Sequence, residues 1–442
     1  MRIRALLLMF VFLATAAYGE TFSRAEAVAV ALRANPEAVK GREQIRYYEG
    51  RITEERAAAL PEVTANGTMF RYTDPSFLNS TGFDEFPAEL QSSFRPQASN
   101  MYEGALQVRQ TLYSFKLNRA IKAAKLARTV GAADLQRIQQ RIALDTVEAY
   151  NGLLFAQEQV HVAQNALERR QKHADMTRNR RAAGVATELE VLRANVDLEN
   201  QRAEVVRAEG AVELARANLN ALMLRPIDAP ITPTDKLTYE VVPTTLEEVL
   251  KAALASRPEL EVAQTTENIR SELVGIAKAE SKPSFDFTAS YGHSSRRPEN
   301  WWQNDFAKWN MAFNMKIPIF DGRRTAGKVV QAKAEVEKAK QDRVALQNQI
   351  RVEAMNVITR LNVAGRLITA AQLNVEQARK ALDMTQANYN YGAATVLDVT
   401  DAQNSLVQSE MTLAQALQEH ANARATLNYV MGRDPLEAPN AH

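Results

Sequence analysis

Two very long stretches without proline constrain the fold of this chain more than any other feature. They cover residues 115–182 and 323–391, and residues that favour helices dominate both. With a rise of 1.5 Å per residue, each stretch predicts a helix on the order of 100 Å long. Apolar residues recur at steps of three and four, as at Leu135, Ile138 and Ile142, which is typical of coiled-coil packing. Since no compact domain needs such length, the pattern favours a wall built of many helices.

The chain also repeats itself. The segment AAGVATELEVLRANVDL (182–198) resembles YGAATVLDVTDAQNSL (391–406) at constant spacing. The matched pairs are Gly184 with Gly392, Thr187 with Thr395, and Leu189 with Leu397. The beginnings of the two halves match as well, with capping boxes that start at Ser23 and Thr245. The chain therefore consists of two copies of one unit.

The repeats divide the chain into predicted segments. The first repeat covers 20–225, a proline-rich linker 226–245, the second repeat 246–433 and a C-terminal tail 434–442. The first copy is longer, and we place its insertion in the polar stretch 73–100. Each unit reads as helix, strand, strand, long helix, tight turn and helix, and its first helix is predicted over 24–60 or 246–282.

Each unit contains a pair of predicted strands with alternating polarity. In the clearest run, 309–319, every second residue is apolar, and the other runs are 284–291, 102–112 and 62–72. These runs have about the length of a tilted transmembrane strand, and all three tryptophans cluster at 301, 302 and 309. Two hairpins in a soluble sandwich are the alternative, but no other predicted sheet is available to cover their apolar faces.

A lipid-facing sheet of four strands cannot close by itself, because an open edge would leave unpaired backbone groups in hydrocarbon. The chain is therefore expected to oligomerise. Two copies would supply eight strands and three copies twelve, and twelve strands could leave a pore. The polar residues on the other strand face would then line that pore. They are Glu103, Gln107, Arg109, Asp286, Asn310, Asn314 and Lys316.

The N-terminus reads as a secretory signal peptide over residues 1–19. Arg2 and Arg4 precede a short apolar run, and Ala17 and Gly19 suit a cleavage site. No later apolar run is long enough to span a bilayer as a helix. The sequence has no cysteine, which excludes disulfides and thiol chemistry, and its net charge of +2 does not indicate nucleic-acid binding.

These features together resemble the TolC-like outer-membrane efflux and secretion channels of Gram-negative bacteria. The resemblance rests on the signal peptide, the two repeats and the segments 181–223 and 391–432, and it covers essentially the whole mature chain. It implies a mainly α protein with a transmembrane β-barrel. The expected assembly is a homotrimer whose twelve-strand barrel in the outer membrane continues into a twelve-helix tunnel across the periplasm. A periplasmic adaptor and an inner-membrane transporter would be its partners.

The two glycine-centred turns are predicted to be tight helical hairpins. Gly184 and Gly392 follow long helices as left-handed C-terminal caps, and Thr187 and Thr395 start the next helices as N-caps. Local turn geometry is by itself a sufficient explanation of the motif. The family resemblance further makes the tips candidates for adaptor contact. The candidate residues are Gly184, Thr187, Leu189, Gly392, Thr395 and Leu397.

The charges near the two turns differ, and Arg193 and Asp401 occupy equivalent repeat positions with opposite sign. In a trimer, six tips would surround one axis, where arginine–aspartate pairs and tyrosines would hold the periplasmic mouth narrow. Solvated charge near helix ends is the simpler alternative. The candidate gate residues are Arg180, Arg181, Glu190, Arg193, Tyr389, Tyr391, Asp398 and Asp401.

The sequence shows no catalytic constellation. It has no Gly-x-x-x-x-Gly-Lys-Ser/Thr loop and no His-Glu-x-x-His motif, and its five histidines are scattered. We therefore expect no enzyme activity, no metal site and no cofactor, and we expect a passive exit duct for small molecules or polypeptides. The alternative is a periplasmic coiled-coil adaptor or scaffold without its own pore, although such a protein would not show strand pairs between repeated hairpins.

Overall fold

The structure is a computed structural model that describes residues 20–76, 87 and 98–437. The predicted signal peptide, most of the predicted insertion and the end of the predicted tail lie outside the described residues. The helices are α1 (Arg24–Ala34), α2 (Pro36–Ala57), α3 (Phe115–Ala182), α4 (Glu188–Leu222), α5 (Leu246–Ser256), α6 (Pro258–Ala279), α7 (Arg324–Asn390) and α8 (Val396–Val430). The strands are β1 (Glu20–Phe22), β2 (Glu62–Tyr72), β3 (Ser99–Ser114), β4 (Ile231–Pro233), β5 (Ser284–Ser295) and β6 (Ala307–Lys316).

The long helices lie where the proline-free stretches predict them. Helix α3 has 68 residues and α7 has 67, and each is followed by a 35-residue helix, α4 or α8. Uninterrupted helix of this length is possible because every backbone N–H in these stretches can donate to a carbonyl one turn back. Within the described part of the chain, no helix is both long and apolar enough to cross a membrane.

The predicted continuous helices over 24–60 and 246–282 are wrong, because each is broken once. Asn35 and Arg257 adopt ψ angles of 126° and 125° immediately before Pro36 and Pro258. A proline ring disfavours helical backbone at the residue that precedes it. The first segment of each half is therefore a pair of helices, α1 with α2 and α5 with α6.

The described residues form two compact units by their internal contacts. The first consists of residues 20–43, 132–262 and 343–437, and the second of 44–76, 98–131 and 263–342. The first unit holds the hairpins made by the far ends of the long helices. The second unit holds the larger sheet.

The first unit is built around Tyr150, which is fully buried on α3 beside Leu153 and Met223. The Tyr150 hydroxyl donates to the Phe22 carbonyl at 2.7 Å and accepts from the Thr234 N–H at 3.1 Å. Phe22 is the last residue of β1 and Thr234 directly follows β4, and these two strands pair in parallel. The predicted linker 226–245 therefore contains a strand that the sequence reading missed.

The second unit contains a four-stranded antiparallel sheet in the order β2-β3-β5-β6. The predicted strand over 62–72 matches β2 residue for residue. Among the described residues, the edge strands β2 and β6 each pair with a single neighbour. Partners across strands lie on the same face of a sheet. One apolar row consists of Val63, Val108, Ala289 and Met311.

The predicted alternation is wrong at the end of β3. The register shifts between Thr111 and Tyr113, so that Tyr113 pairs with Phe285 and Leu112 is passed over. A bulge of this kind adds one residue to a strand and reverses the facing of the residues after it. Tyr113, rather than Leu112, therefore continues the apolar face.

Candidate functional site

Each long hairpin ends in a glycine turn of the predicted kind. Gly184 and Gly392 both have a φ of +78°, in the left-handed region that side chains disfavour. The first turn is closed by the Val185 N–H, which donates to the Arg180 carbonyl at 3.0 Å, and the second has the same bond at 2.8 Å. The predicted C-terminal glycine caps are confirmed, and both hairpins turn in the same way.

The predicted N-caps are confirmed as well. The hydroxyls of Thr187 and Thr395 accept from the N–H groups of Glu190 and Asp398 at 3.3 and 3.2 Å, and the two carboxylates accept from the threonine N–H groups in return. Hydrogen bonds from Thr395, first from its backbone and then from its hydroxyl, hold the pKa of Asp398 below its ordinary value. Two candidate gate residues, Glu190 and Asp398, thus cap their own helices.

Arg180 joins the two hairpins of one protomer. Its Nη1 donates to the main-chain oxygens of Tyr389 and Asn390, both at 3.1 Å. These are the last carbonyls of α7, where unpaired oxygens and the helix dipole favour a cation. The guanidinium carbon also lies 4.7 Å from the centroid of the Tyr389 ring. Arg180 therefore caps α7 and holds the second hairpin against the first.

The two candidate tyrosines have different surroundings. Tyr389 is only 3% exposed and belongs to a buried cluster with Val396 and Val399. Tyr391 is 89% exposed. Tyr389 is therefore part of the core of the chain, and of these two rings only that of Tyr391 is exposed to solvent.

The remaining candidate gate residues are exposed charges. Arg181 forms an ion pair with Glu188 across the first turn. Arg193 and Asp401 lie on the exposed sides of α4 and α8, and no hydrogen bond or ion pair joins the side chain of either to another described residue. Of the predicted charges, these two are available for contacts beyond the protomer.

A second set of contacts between the hairpins was missed by the sequence reading. Arg170 donates to the Asn404 side chain at 2.7 Å and, within its own hairpin, to the Asp197 carbonyl at 3.0 Å. The Thr400 hydroxyl donates to an Asp197 carboxylate oxygen at 3.0 Å. Arg169 pairs with Glu410 at 3.2 Å. No motif marks these residues. Arginine and aspartate are mostly exposed on protein surfaces, so the sequence does not distinguish those that join two hairpins from those that only meet water.

The candidate adaptor residues lie at the turns and on the first turn of α4 and α8. Leu189 and Leu397 are more than half exposed, and open space surrounds both glycines. From the first turn onto α4, exposed apolar side chains follow one another at helical spacing, and we call this row the α4 ridge. It consists of Val185, Leu189, Leu192 and Val196.

In the second unit, the register gathers the predicted pore-lining residues on one face of the sheet. On the face opposite the apolar row described above, one row across the strands consists of Thr64, Gln107, Ser290 and Asn310. Glu103 accepts from Ser294 at 3.0 Å and from Lys308 at 2.8 Å. The other predicted residues share this face through their partners. They are Arg109, Asp286, Asn314 and Lys316.

Within residues 20–76 and 98–437, no group of three or more histidine or carboxylate side chains is arranged to hold a metal ion. Residues 28–223 and 249–433 match the sequence family described as outer membrane efflux proteins. The chain belongs to this family. The TolC-like resemblance is thereby confirmed, and the protein is an efflux protein of the outer membrane.

Several known proteins are similar to this efflux protein. Nodulation protein T of Rhizobium leguminosarum bv. trifolii is 23% identical over 396 residues, which cover 88% of this chain and 81% of the relative. Outer membrane efflux protein BepC of Brucella suis biovar 1 is 26% identical over 407 residues, or 85% of this chain and 86% of that protein. The crystal structure of outer membrane protein VceC from Vibrio cholerae matches with a TM-score of 0.77 at 19% identity, covering 93% and 96% of the two chains. This last likeness shows that the fold is shared.

Proposed function

We propose that this efflux protein is the passive exit duct of a tripartite efflux or secretion system. A periplasmic adaptor and an inner-membrane transporter would deliver the cargo and supply the energy. The duct would conduct small molecules or polypeptides to the exterior. We assign cargo selection to the transporter.

The observation that carries this proposal is the two-faced sheet. Trp309 and Phe313 are 73% and 78% exposed on its apolar face, whereas Gln107 and Asn310 lie in a row of the opposite face. An apolar face that is so exposed is stable in lipid, and a polar face suits a water-filled lumen. Because β2 and β6 keep one unpaired edge each among the described residues, copies would have to join edge to edge in hydrocarbon.

We infer a homotrimer, since three copies would supply twelve strands and twelve strands leave a lumen. The exposed apolar side chains of the long helices support this assembly. The part of the α4 ridge farther from the glycine turn is one such surface, and Val352, Met355 and Val363 form another on α7. Packing of these surfaces between copies would bury them in a coiled-coil manner. In this proposal the repeats 20–225 and 246–433 each supply two strands of the barrel and two helices of the periplasmic tunnel.

Conductance recordings on purified protein in planar bilayers test the duct, with the oligomer mass measured on the same preparation. We expect discrete conductance steps and a mass of three chains. Recovery of the protein in the soluble periplasmic fraction, together with a flat current, would contradict the duct and favour an adaptor or scaffold. A conducting dimer would contradict the trimer but not the duct.

We propose that Arg193 and Asp401 of different protomers pair at the periplasmic mouth of the duct. Both are exposed, and neither has a partner among the described residues of its own protomer. Arg193→Asp and Asp401→Arg should each raise the resting conductance, and the double exchange should restore it. Single variants that conduct like the native protein would refute the pair. Asp398 is a poor probe, since its reversal would also remove the N-terminal cap of α8.

We propose that the hairpin tips also contact the adaptor. Leu189 and Leu397 stand exposed beside the glycine turns, as an apolar docking point would. Leu189→Asp and Leu397→Asp should weaken co-purification with the cognate adaptor while conductance of the isolated duct is kept. Val206→Asp is the matched control, because Val206 is equally exposed on α4 but far from the turn. Equal loss with all three variants would contradict a tip-specific contact.

A further inference from the structure

A buried histidine lies beside Tyr389, the residue by which Arg180 holds the second hairpin. His173 of α3 is 3% exposed, and its ring centroid lies 5.3 Å from that of Tyr389. Neither ring nitrogen of His173 has a hydrogen-bond partner among the described residues. On the same Tyr389, Arg180 holds the main-chain oxygen and stacks over the ring. The histidine and the arginine thus contact one tyrosine from two places on α3.

The charged and titratable groups around His173 offer no acceptor for a second ring proton. They are Arg170 and Arg180 on α3, Asp197 on α4 and Tyr389 on α7. The Asp197 carboxylate accepts from Thr400 of α8, and it forms no hydrogen bond with the imidazole. A protonated His173 would therefore be a buried cation without a hydrogen-bond acceptor, which is costly, and the charge of Asp197 offsets this cost only in part.

We propose that His173 makes the contact between the two hairpins sensitive to pH, so that acid in the periplasm releases the second hairpin and widens the mouth of the duct. The histidine is neutral while Tyr389 is docked on it. When the hairpins separate, the imidazole meets water and takes up a proton from it. The released state is stabilised by that proton, and the docked state is not.

The direction of the effect follows from the burial of the ring. Burial lowers the pKa of His173 below its ordinary value of 6.5, and the charge of Asp197 opposes this only in part. Because the pKa of His173 is lower in the docked state than in water, the contact has its full stability above about pH 6.5. The contact weakens as the pH falls below that value toward the docked-state pKa. In this window, the ratio of released to docked hairpins should rise by up to ~tenfold per pH unit in each protomer.

A single cysteine reports the release without any assumption about conduction. Val399 of α8 is fully buried in the cluster with Tyr389, and the native chain has no cysteine. In a Val399→Cys background, maleimide labelling should be slow while the hairpins are docked. The labelling rate also depends on pH through the ionisation of the thiol. This effect is the same in the His173 and His173→Gln proteins at one pH, so the ratio of their rates removes it. His161→Gln is the matched control, because His161 is an exposed histidine of the same helix.

We expect labelling of the His173 protein to rise relative to His173→Gln as the pH falls from 7.5 to 5.5, with His161→Gln following the native pattern. His173→Met serves in place of the glutamine variant if the latter does not assemble. A pH response that persists in the His173 variants, or is missing in the native protein, would overturn the proposal.

The second experiment records conductance in planar bilayers while the compartment that the hairpin tips face is acidified. This experiment rests on the proposed duct. The open fraction should rise at low pH in the native protein and stay constant in His173→Gln. A duct that conducts with the same open fraction at every pH would overturn the acid-opened mouth. Absence of conductance at every pH would instead count against the duct, and the labelling would still decide whether acid releases the contact.

Discussion

Removal of the Arg180 side chain should undock the second hairpin from the first. In Arg180→Ala, the last carbonyls of α7 lose a charged donor at 3.1 Å, and the Tyr389 ring loses the guanidinium 4.7 Å away. A hydrogen bond from a charged group contributes about 1.5–3 kcal/mol, and a cation over an aromatic ring about 0.5–1 kcal/mol at a partly exposed site. Because the Arg180 side chain is partly solvated, we take the low end of this range.

A loss of about 2 kcal/mol corresponds to a roughly 30-fold increase in the ratio of undocked to docked hairpins. The labelling rate of Val399→Cys measures this ratio if opening and closing are fast relative to labelling. We therefore expect Arg180→Ala to be labelled roughly 30-fold faster at pH 7.5, and the open fraction of the duct to rise in the same variant.

Arg178→Ala is the matched control for this experiment. Arg178 lies on the same helix, but it contacts Asp175 and Asn195, which both belong to the first hairpin. An exposed pair of this kind contributes little to stability, so labelling should change by less than a few-fold. Equal labelling of Arg180→Ala and Arg178→Ala would refute the reasoning, since it would mean that the inter-hairpin contact has no energetic role.

Three further predictions concern the stability of the first unit. Leu224 and Gly432 occupy equivalent positions after the C-terminal ends of α4 and α8, with φ of +52° and +74°. Because leucine is strained at positive φ, Leu224→Gly should stabilise the fold by about 0.5–1 kcal/mol in denaturant unfolding. Gly432→Ala should destabilise it by more, because a Cβ there would lie 2.7 Å from backbone atoms of Ser256; a loss of stability in the first variant would contradict the strain argument. Arg257→Leu should cost about 3–5 kcal/mol in the same assay, because the buried guanidinium pairs with Glu259 and Glu353; unchanged unfolding would contradict this.

The features that could be predicted from the sequence are those decided by neighbouring residues. The glycine turns and the threonine caps were predicted because left-handed backbone and N-terminal capping depend on residues within three positions of each other. Strand β2 and the two faces of the sheet follow from strict alternation in the same way. The missed break before Pro36 belongs to this class too, since the proline alone imposes it.

The roles of the candidate gate residues could not be predicted from the sequence. Arg180 and Tyr389 are 209 positions apart, and their contact exists only because two long hairpins pack side by side. Tyr389 is buried and Tyr391 is exposed, although both stand near the same turn. Burial decides between such alternatives, and burial is a property of all the helices around a residue.

The sequence by itself determined the doubled pattern of long helices, turns and paired strands, because each of these elements is specified by a local period or by a few adjacent residues. Only the tertiary structure decided which charges face a partner within the protomer and which stay exposed to solvent. It also decided that His173 lies against Tyr389 behind the tips. The physical reason is that solvation and pairing depend on packing between segments far apart in the chain, which no local period encodes.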